Sequence, residues 1–150
     1  MLCIWWDSEG VLYWELLNAG QTINATVYCD QLDRLANAIL MKRPQRKTIR
    51  FLYDNARPHT VQLTREKLLS LQWEVLPHPP YSPDIAPSDY HLFRSLSNAM
   101  KGHQFDNEYD LKEWLDAFFT NQSADFFKKG IHDLPKRWKS VIDNGGNYFD

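Results

Sequence analysis

The alternation of apolar and polar residues predicts that the chain begins with a β-hairpin. Two β-rich runs, LCIWW and VLYWELL, flank the segment DSEG, whose Asp7 and Gly10 are typical of a tight turn. From Thr22 the apolar residues follow the spacing of one helix face, which predicts a helix that stops before Pro44. The residues on that face are Tyr28, Leu32, Leu35, Ala36 and Ile39.

The middle of the chain continues this alternation of strands and helices. TIRFLYD, at 48–54, is a β-branched and aromatic run of strand length, and Val61 to Leu71 is rich in helix-forming residues. WEVLP, at 73–77, predicts another short strand. Strands that alternate with helices indicate an α/β protein.

The last third of the chain is predicted to be helical. The four prolines of residues 78–89 predict a stiff extended connection, after which YHLFRSLSNAMK reads as a helix capped by Ser88 or Asp89. A second helix starts at Asp106 or Asn107 and presents an apolar face. That face consists of Leu111, Trp114, Leu115, Phe118 and Phe119. We expect the last helix to open near Asp133-Leu134-Pro135, pack Trp138 and Ile142, and end at Gly145-Gly146.

Composition and charge narrow the class of protein. With 150 residues, 43% of them apolar, the chain is long enough for one folded domain. It has neither an apolar run long enough to span a membrane nor a basic-then-apolar leader, so we expect a soluble intracellular protein. Cys3 and Cys29 lie outside any metal-binding pattern, and we interpret them as free thiols.

The net charge of −2 conceals two clusters of basic residues. The first contains Lys42, Arg43, Arg46, Lys47 and Arg50, and the second contains Lys128, Lys129, Lys136, Arg137 and Lys139. Such clusters are compatible with contacts to nucleic acid, but also with a solvated loop or a solvated helix face. For the second cluster the solvated face is the favoured interpretation.

Two aspartates occupy positions where chemistry is often found. Asp54 ends a predicted strand, and Asp89 begins a helix after a proline-rich connection. Ligands of open α/β sheets bind outside the carboxyl ends of the strands, and neighbouring carboxylates are tolerated when a divalent cation offsets their repulsion. A Mg²⁺ site for phosphoryl transfer is therefore one interpretation. The other is structural, with Asp54 starting a turn and Asp89 capping a helix.

Zinc is a weaker possibility for the same region. His59 and His78 are potential ligands, but no further ligands occur at a spacing that zinc sites use.

The motifs around both aspartates resemble the catalytic region of mariner-family transposases, which belong to the Tc1/mariner group. DNARPH and YSPDIAPSDYHLF carry the resemblance, together with ELLNAGQTINATVYCDQLDRL and GIHDLPKRWKSVIDNGGNYF, so that it extends from Leu2 to Phe149. The most specific feature is the interval between Asp54 and Asp89, which are separated by residues 55–88, 34 in all. That interval is similar to the spacing that characterises mariner.

The resemblance implies a ribonuclease H-like fold, in which a mixed sheet with flanking helices carries three acids and two Mg²⁺ or Mn²⁺ ions. Asp54 matches the second acid and Asp89 the third. Asn55, Arg57 and His59 match the motif around the second acid, and our hypothesis is that they orient Asp54 and contact DNA phosphate. The family excises DNA at transposon ends and joins it to a TA target, usually as a dimer in the nucleus.

The resemblance also has gaps. The family's first acid lies on a strand upstream of the segment that resembles LCIWW, and the helix-turn-helix DNA-binding domains lie further upstream. We therefore expect a single, partial catalytic domain that retains two acids of three, lacks the first strand, and is inactive or prone to association. Two functions remain open: a metal-dependent DNA transposase core, or a decayed or domesticated remnant that binds DNA or protein without catalysis.

Overall fold

The computed structural model describes residues 1–18, 20–53, 61–79 and 82–143. The chain divides into two compact units, which we call unit 1 (Met1–Trp5 and Leu12–Ser82) and unit 2 (Trp6–Val11 and Pro83–Asp150). Within the described ranges, no helix is both long and apolar enough to cross a membrane.

The predicted hairpin is confirmed. Strand β1 covers Leu2–Asp7 and strand β2 covers Gly10–Leu16, and the two strands pair with each other. The Asp7 carboxylate closes the turn, because its Oδ1 accepts hydrogen bonds from the backbone N–H of Glu9 at 2.9 Å and of Gly10 at 3.1 Å. Gly10 has φ +137°, a conformation that a side chain would strain.

The first predicted helix is also confirmed. Helix α1 covers Ala25–Lys42 and so ends before Pro44. Asn24 caps its N-terminus, since the Asn24 side chain accepts a hydrogen bond from the Val27 N–H at 2.8 Å. The periodic residues Tyr28, Leu32, Leu35 and Ile39 are buried, as the spacing predicted.

Unit 1 has a continuous apolar core. Its buried members come from β2, α1, β3 and α2, where strand β3 covers Arg50–Phe51 and helix α2 covers Gln62–Leu71. They are Leu12, Tyr28, Leu32, Leu35, Ile39, Phe51 and Leu68. Each large aliphatic side chain buried in this way contributes roughly 1.5–3 kcal/mol to folding, so this core is the main source of stability in unit 1. Cys3 and Cys29 are buried and free, which confirms the thiol interpretation, and burial raises the pKa of Cys3.

The second strand pair of unit 1 is shorter than the sequence predicted. Strand β4 covers Glu74–Val75 and pairs in parallel with β3, so that Arg50 lies opposite Glu74 and Phe51 opposite Val75. The sequence predicts one strand across TIRFLYD, at 48–54. Of residues 48–53, only Arg50 and Phe51 have strand geometry. Within the described residues, β3 pairs only with β4. Because β4 is two residues long, the ladder of hydrogen bonds is short. Asp54, the predicted end of this strand, lies outside the described residues.

The chain from Pro83 onward is almost entirely helical. A 3₁₀ turn covers Pro83–Ile85, a π-helical turn covers Ser88–Phe93, and helices α3, α4 and α5 follow. They cover Arg94–Met100, Glu108–Thr120 and Ala124–Asp143. The proline-rich connection is therefore not extended throughout, because Pro83 and Pro87 occupy the starts of turns, where their fixed φ is accommodated. Asn107 caps α4 as predicted, accepting from the Asp110 N–H at 2.9 Å.

The predicted start of the last helix is wrong. Helix α5 begins nine residues before Asp133, at Ala124, after Ser123, whose hydroxyl accepts a hydrogen bond from the Phe126 N–H at 3.2 Å. Pro135 lies inside the helix, where it cannot donate a backbone hydrogen bond, and its neighbour Leu134 is buried. Ile142 is 73% exposed and does not pack as predicted, while Trp138 is half-buried. The predicted end at Gly145-Gly146 lies outside the described residues.

Candidate active site around Asp89

Asp89 is the predicted catalytic residue whose surroundings the structure describes. It lies in the first turn of the π-helical segment of unit 2, and its side chain is exposed. Asp54, Asn55, Arg57 and His59 all lie outside the described residues, so their predicted roles remain predictions.

Hydrogen bonds hold the residues on both sides of Asp89. Before it, the Ser88 hydroxyl accepts a hydrogen bond from Trp6 Nε1 at 3.0 Å. After it, the Tyr90 hydroxyl donates to the Gly130 carbonyl at 2.5 Å, and His91 Nε2 lies 2.6 Å from the Phe126 carbonyl. The last contact requires the tautomer that carries its proton on Nε2. These bonds fix the backbone that carries Asp89 without using the Asp89 carboxylate.

Helix α5 approaches this segment closely at Gly130. A Cβ atom on Gly130 would lie 2.4 Å from His91 Cδ2 and 2.9 Å from Trp6 Cη2, distances that no side chain tolerates. The Trp6 and His91 rings stack beside it, with their centroids 6.2 Å apart. Glycine at this position therefore permits the packing that brings the Tyr90 hydroxyl to the Gly130 carbonyl.

Arg137 of helix α5 contacts both the 3₁₀ turn and the π-helical turn. Its Nη1 donates to the Asp84 carbonyl at 3.0 Å, and its guanidinium carbon lies 4.0 Å from the centroid of the Tyr90 ring. Such a stacked guanidinium contributes about 0.5–1 kcal/mol or more where water is excluded. Burial raises the pKa of Tyr90 to about 12, so its hydroxyl keeps its proton and remains a hydrogen-bond donor at neutral pH.

A cleft of about 510 Å³ opens beside Asp89. Its lining consists of Pro83, Asp84, Asp89, Tyr90, Arg94, Asp133, Lys136, Arg137 and Ser140. The Lys129 ammonium, 3.0 Å from Asp133 Oδ2, lowers the pKa of the Asp133 carboxyl, and the nearby cations Lys136 and Arg137 act in the same direction. The cleft is therefore strongly ionic, and it holds acids and bases in equal number, three of each.

Carboxylates are the potential ligands for a hard divalent cation in this lining. Asp84 and Asp89 both line the cleft, and carboxylate oxygens are the ligands that Mg²⁺ and Mn²⁺ prefer. No group of three or more potential ligands (His, Cys, Asp, Glu) occurs in the part of the chain that the structure describes. Among these residues, Asp89 has an exposed carboxylate on a backbone that hydrogen bonds hold in place.

Comparisons with known proteins identify the relatives of this chain. Residues 1–49 match the family model "Transposase (partial DDE domain)". The chain is 46% identical to the Mariner Mos1 transposase of Drosophila mauritiana and 40% identical to the histone-lysine N-methyltransferase SETMAR of Homo sapiens, in both cases over its whole length. It spans 45% of the first protein and 22% of the second, and so less than half of these curated relatives.

Solved structures of Mos1 extend the comparison to the fold. The structure of the Mos1 catalytic domain with Raltegravir and Mn superposes with a TM-score of 0.96 at 46% identity, covering 99% of this chain and 76% of that one. This chain belongs to the mariner family of transposases. The Mos1 paired-end complex with the left transposon end matches with a TM-score of 0.95 at 47% identity, covering 99% of this chain and 44% of that one.

The mariner relationship confirms the predicted fold class. This chain has the α/β, ribonuclease H-like fold of the mariner catalytic domain, with a helical C-terminal third. Within the described ranges its strands form two pairs, β1 with β2 and β3 with β4.

One structural prediction about the mariner motif was wrong. Neither Ser88 nor Asp89 caps a helix, because Pro87 occupies the capping position and no side chain bonds there. The Ser88 hydroxyl instead accepts from Trp6, and Asp89 lies within the helical turn. The interpretation of Asp89 as the capping residue is therefore wrong.

The basic residues predicted to bind DNA lie in unit 1, at the end of α1 and in the loop behind it. Lys42, Arg46 and Lys47 are exposed, while Arg43 is half-buried. Lys42 Nζ also donates to the Leu12 carbonyl at 3.0 Å, and Arg43 Nη1 donates to the Lys42 carbonyl at 3.0 Å. These residues therefore form an exposed basic segment that is partly tied to the hairpin. His78, the zinc candidate within the described residues, is buried.

Sequence reasoning did not join Tyr90, Arg94, Lys136 or Arg137 to Asp89, although all four residues line the same cleft. Lys136 and Arg137 belong to the basic cluster for which a solvated helix face was favoured, but the Arg137 guanidinium contacts the Tyr90 ring. Arg94 follows Asp89 by five residues, and in an ordinary α-helix two residues at that spacing face different sides. An aromatic residue directly after the acid was a signal for Tyr90; nothing local signalled the other three.

Proposed function

We propose that this chain is the catalytic part of a DNA transposase, which cuts DNA at transposon ends and joins the freed end to a TA target. The single observation that carries the proposal is the match along 99% of the chain to the Mos1 catalytic domain, at 46% identity and a TM-score of 0.96. That Mos1 structure contains Mn, and another contains the left transposon end, which supports DNA as the partner.

In this proposal Asp54 and Asp89 hold Mg²⁺ or Mn²⁺. When bound, such ions supply Lewis-acid polarisation of a DNA phosphate and an activated water or 3′-OH nucleophile. Asp89 contributes a carboxylate on a backbone that Trp6, Tyr90 and His91 hold in place, so little reorganisation is needed when a ligand arrives.

The residues after Asp54 have supporting roles in the proposal. Asn55 orients Asp54, and Arg57 and His59 contact the DNA backbone, because a guanidinium pairs with two phosphate oxygens at once. The basic segment of Lys42, Arg43, Arg46 and Lys47 adds a second, sequence-independent contact with DNA. We place this work in the nucleus and expect the intact protein to act as a homodimer.

The mariner resemblance implies three catalytic acids, and the proposed site contains two of them, Asp54 and Asp89. We therefore propose that residues 1–150 alone cut DNA poorly, and that a third carboxylate from another segment or chain restores cleavage.

A second function is favoured by the match to SETMAR. A segment 40% identical to this chain makes up 22% of a protein named for histone-lysine methylation, so a domain of this family can belong to a protein with a different named activity. The alternative is a domesticated module that binds DNA or protein without cutting.

The test is nicking of supercoiled plasmid in Mg²⁺ or Mn²⁺, by this chain alone and by the chain joined to a mariner strand that carries the first acid. We expect nicking by the joined form, and a loss of roughly 100-fold or more in Asp89→Ala and Asp54→Ala. Asp116→Asn is the matched control, because Asp116 is an exposed aspartate of the same unit that does not line the cleft. Equal nicking by Asp89→Ala would contradict the assignment, and binding without nicking in every form would favour the domesticated module.

A further inference from the structure

We propose that Arg94 and Lys136 form a subsite for a backbone phosphate of DNA in the cleft beside Asp89. The inference rests on the proposed function, because it takes DNA as the ligand, but it concerns residues that neither the metal site nor the DNARPH motif includes. It assigns a ligand class to Arg94 and Lys136; for the basic cluster that contains Lys136, the sequence favoured a solvated helix face and left contact with nucleic acid open.

The π-helical turn explains why Arg94 reaches this cleft. In an α-helix, residues five apart point about 140° away from each other, so Asp89 and Arg94 would face different sides. The hydrogen bonds of a π turn join residues five apart and bring the fifth residue back above the first. Ser88–Phe93 has this geometry, and Asp89 and Arg94 both line the cleft. The turn therefore sets a guanidinium beside the proposed metal ligand.

Lys136 lines the same cleft from helix α5. Its ammonium lies 3.9 Å from Asp133 Oδ1, at the outer limit of an ion pair, and its side chain is 81% exposed. Asp133 has a closer partner in Lys129, at 3.0 Å. An exposed pair at such a distance contributes little energy, so the Lys136 ammonium can turn to a stronger anion at small cost.

Arg137 has a different role from its neighbour. Its guanidinium stacks on Tyr90 and donates to the Asp84 carbonyl, which fixes it as a support for the cleft wall. The Ser140 hydroxyl is likewise engaged, as it donates to the Lys136 carbonyl at 3.1 Å. Arg94 and Lys136 are thus the cleft cations that we assign to the ligand.

The charge balance of the cleft favours a phosphate once a metal ion is bound. The lining contains three acids, Asp84, Asp89 and Asp133, and three bases, Arg94, Lys136 and Arg137. A divalent cation on Asp89 would add two positive charges to this balanced set. Phosphodiester groups, each with one negative charge, are the anions that DNA offers to restore neutrality.

The experiment measures binding of the full chain to two DNA duplexes of unrelated sequence, by fluorescence anisotropy, across a series of salt concentrations in EDTA and in Ca²⁺. We compare the unaltered chain with Arg94→Gln, Lys136→Gln and the double variant. Lys128→Gln is the matched control, because Lys128 is an exposed lysine of the same helix that does not line the cleft. Arg94→Lys tests whether charge alone is sufficient, and thermal melting checks that each variant folds.

We expect each cleft variant to weaken binding to both duplexes alike and to lower the slope of log Kd against log salt by about 1, and the double variant by about 2. Arg94→Lys should keep the slope. Slopes for the cleft variants equal to that of Lys128→Gln, while the unaltered chain binds DNA, would overturn the subsite and leave the proposed function intact. No DNA binding by the unaltered chain would overturn both.

Discussion

The core of unit 1 and the surroundings of Asp89 in unit 2 are stabilised by different kinds of contact. Unit 1 is organised by a core of large apolar side chains from both helices and from its strands, with Leu32 and Leu35 almost fully inaccessible to water. Around Asp89, unit 2 relies instead on directed contacts: hydrogen bonds from Trp6 and Tyr90, and a guanidinium stacked on an aromatic ring.

In this fold, different contacts provide the stability of the core and the positioning of a reactive group. Apolar burial is strong but not directional, so it holds elements together without defining the orientation of a single carboxylate. Hydrogen bonds contribute only about 0.5–1.5 kcal/mol each, but they require a defined geometry. The comparison predicts large losses of stability from core truncation in unit 1, and smaller losses from changes beside Asp89.

The largest expected effect is Leu32→Ala in the core of unit 1. Leu32 is completely buried, so truncation should lower the free energy of unfolding by about 2–5 kcal/mol, measured by urea denaturation. Leu40→Ala is the control, because Leu40 lies on the same helix but is 71% exposed, and should change stability by less than about 0.5 kcal/mol. If both variants lowered the free energy of unfolding by similar amounts, burial in the apolar core would not be the main source of stability in unit 1.

An intermediate effect is expected for Gly130→Ala in unit 2. The added Cβ would overlap His91 and Trp6, and overpacking of this kind destabilises a protein by about 1–3 kcal/mol, which thermal or urea unfolding would measure. Repeating the substitution in a His91→Ala background should recover part of the loss, since His91 makes the closest contact. Equal losses in the two backgrounds would mean that His91 is not the obstacle.

The smallest effect is expected for Tyr90→Phe, which removes the hydrogen bond to the Gly130 carbonyl. At pH 7 we expect a loss of about 1 kcal/mol. Because burial raises the pKa of Tyr90 from 10.0 to about 12, the folded state holds this proton more tightly than the unfolded state does. Its contribution to stability is complete below pH 10 and disappears as the pH rises through about 12.

The measurement is the melting temperature as a function of pH, for the unaltered chain and Tyr90→Phe, with the exposed Tyr109→Phe as the control. The unaltered chain and the control should lose more stability between pH 10 and 12 than Tyr90→Phe does. Parallel pH curves for all three would contradict a buried Tyr90. A loss at pH 7 larger than that of Leu32→Ala would reverse the comparison between the units.

The elements that sequence reasoning predicted well are those with a local cause. The hairpin turn follows from Asp7 and Gly10, and the first long helix follows from its periodic apolar face and its end before Pro44. The start of α5 was missed because Pro135 suggested a helix beginning, whereas burial of Phe127, Gly130 and Leu134 on one face extends the helix through the proline.

The candidate site divides in the same way. The mariner motifs, the two aspartates and their spacing can be read from the chain alone, because a motif and an interval are properties of the sequence. That Arg94 shares a cleft with Asp89, through a π turn, and that Lys136, Arg137 and Gly130 of helix α5 complete its surroundings follows from the folded structure. The contacts of that helix join residues 40 positions apart in the chain, for Tyr90 with Gly130, and 53 positions apart, for Arg137 with Asp84, and no local pattern encodes the geometry of such contacts.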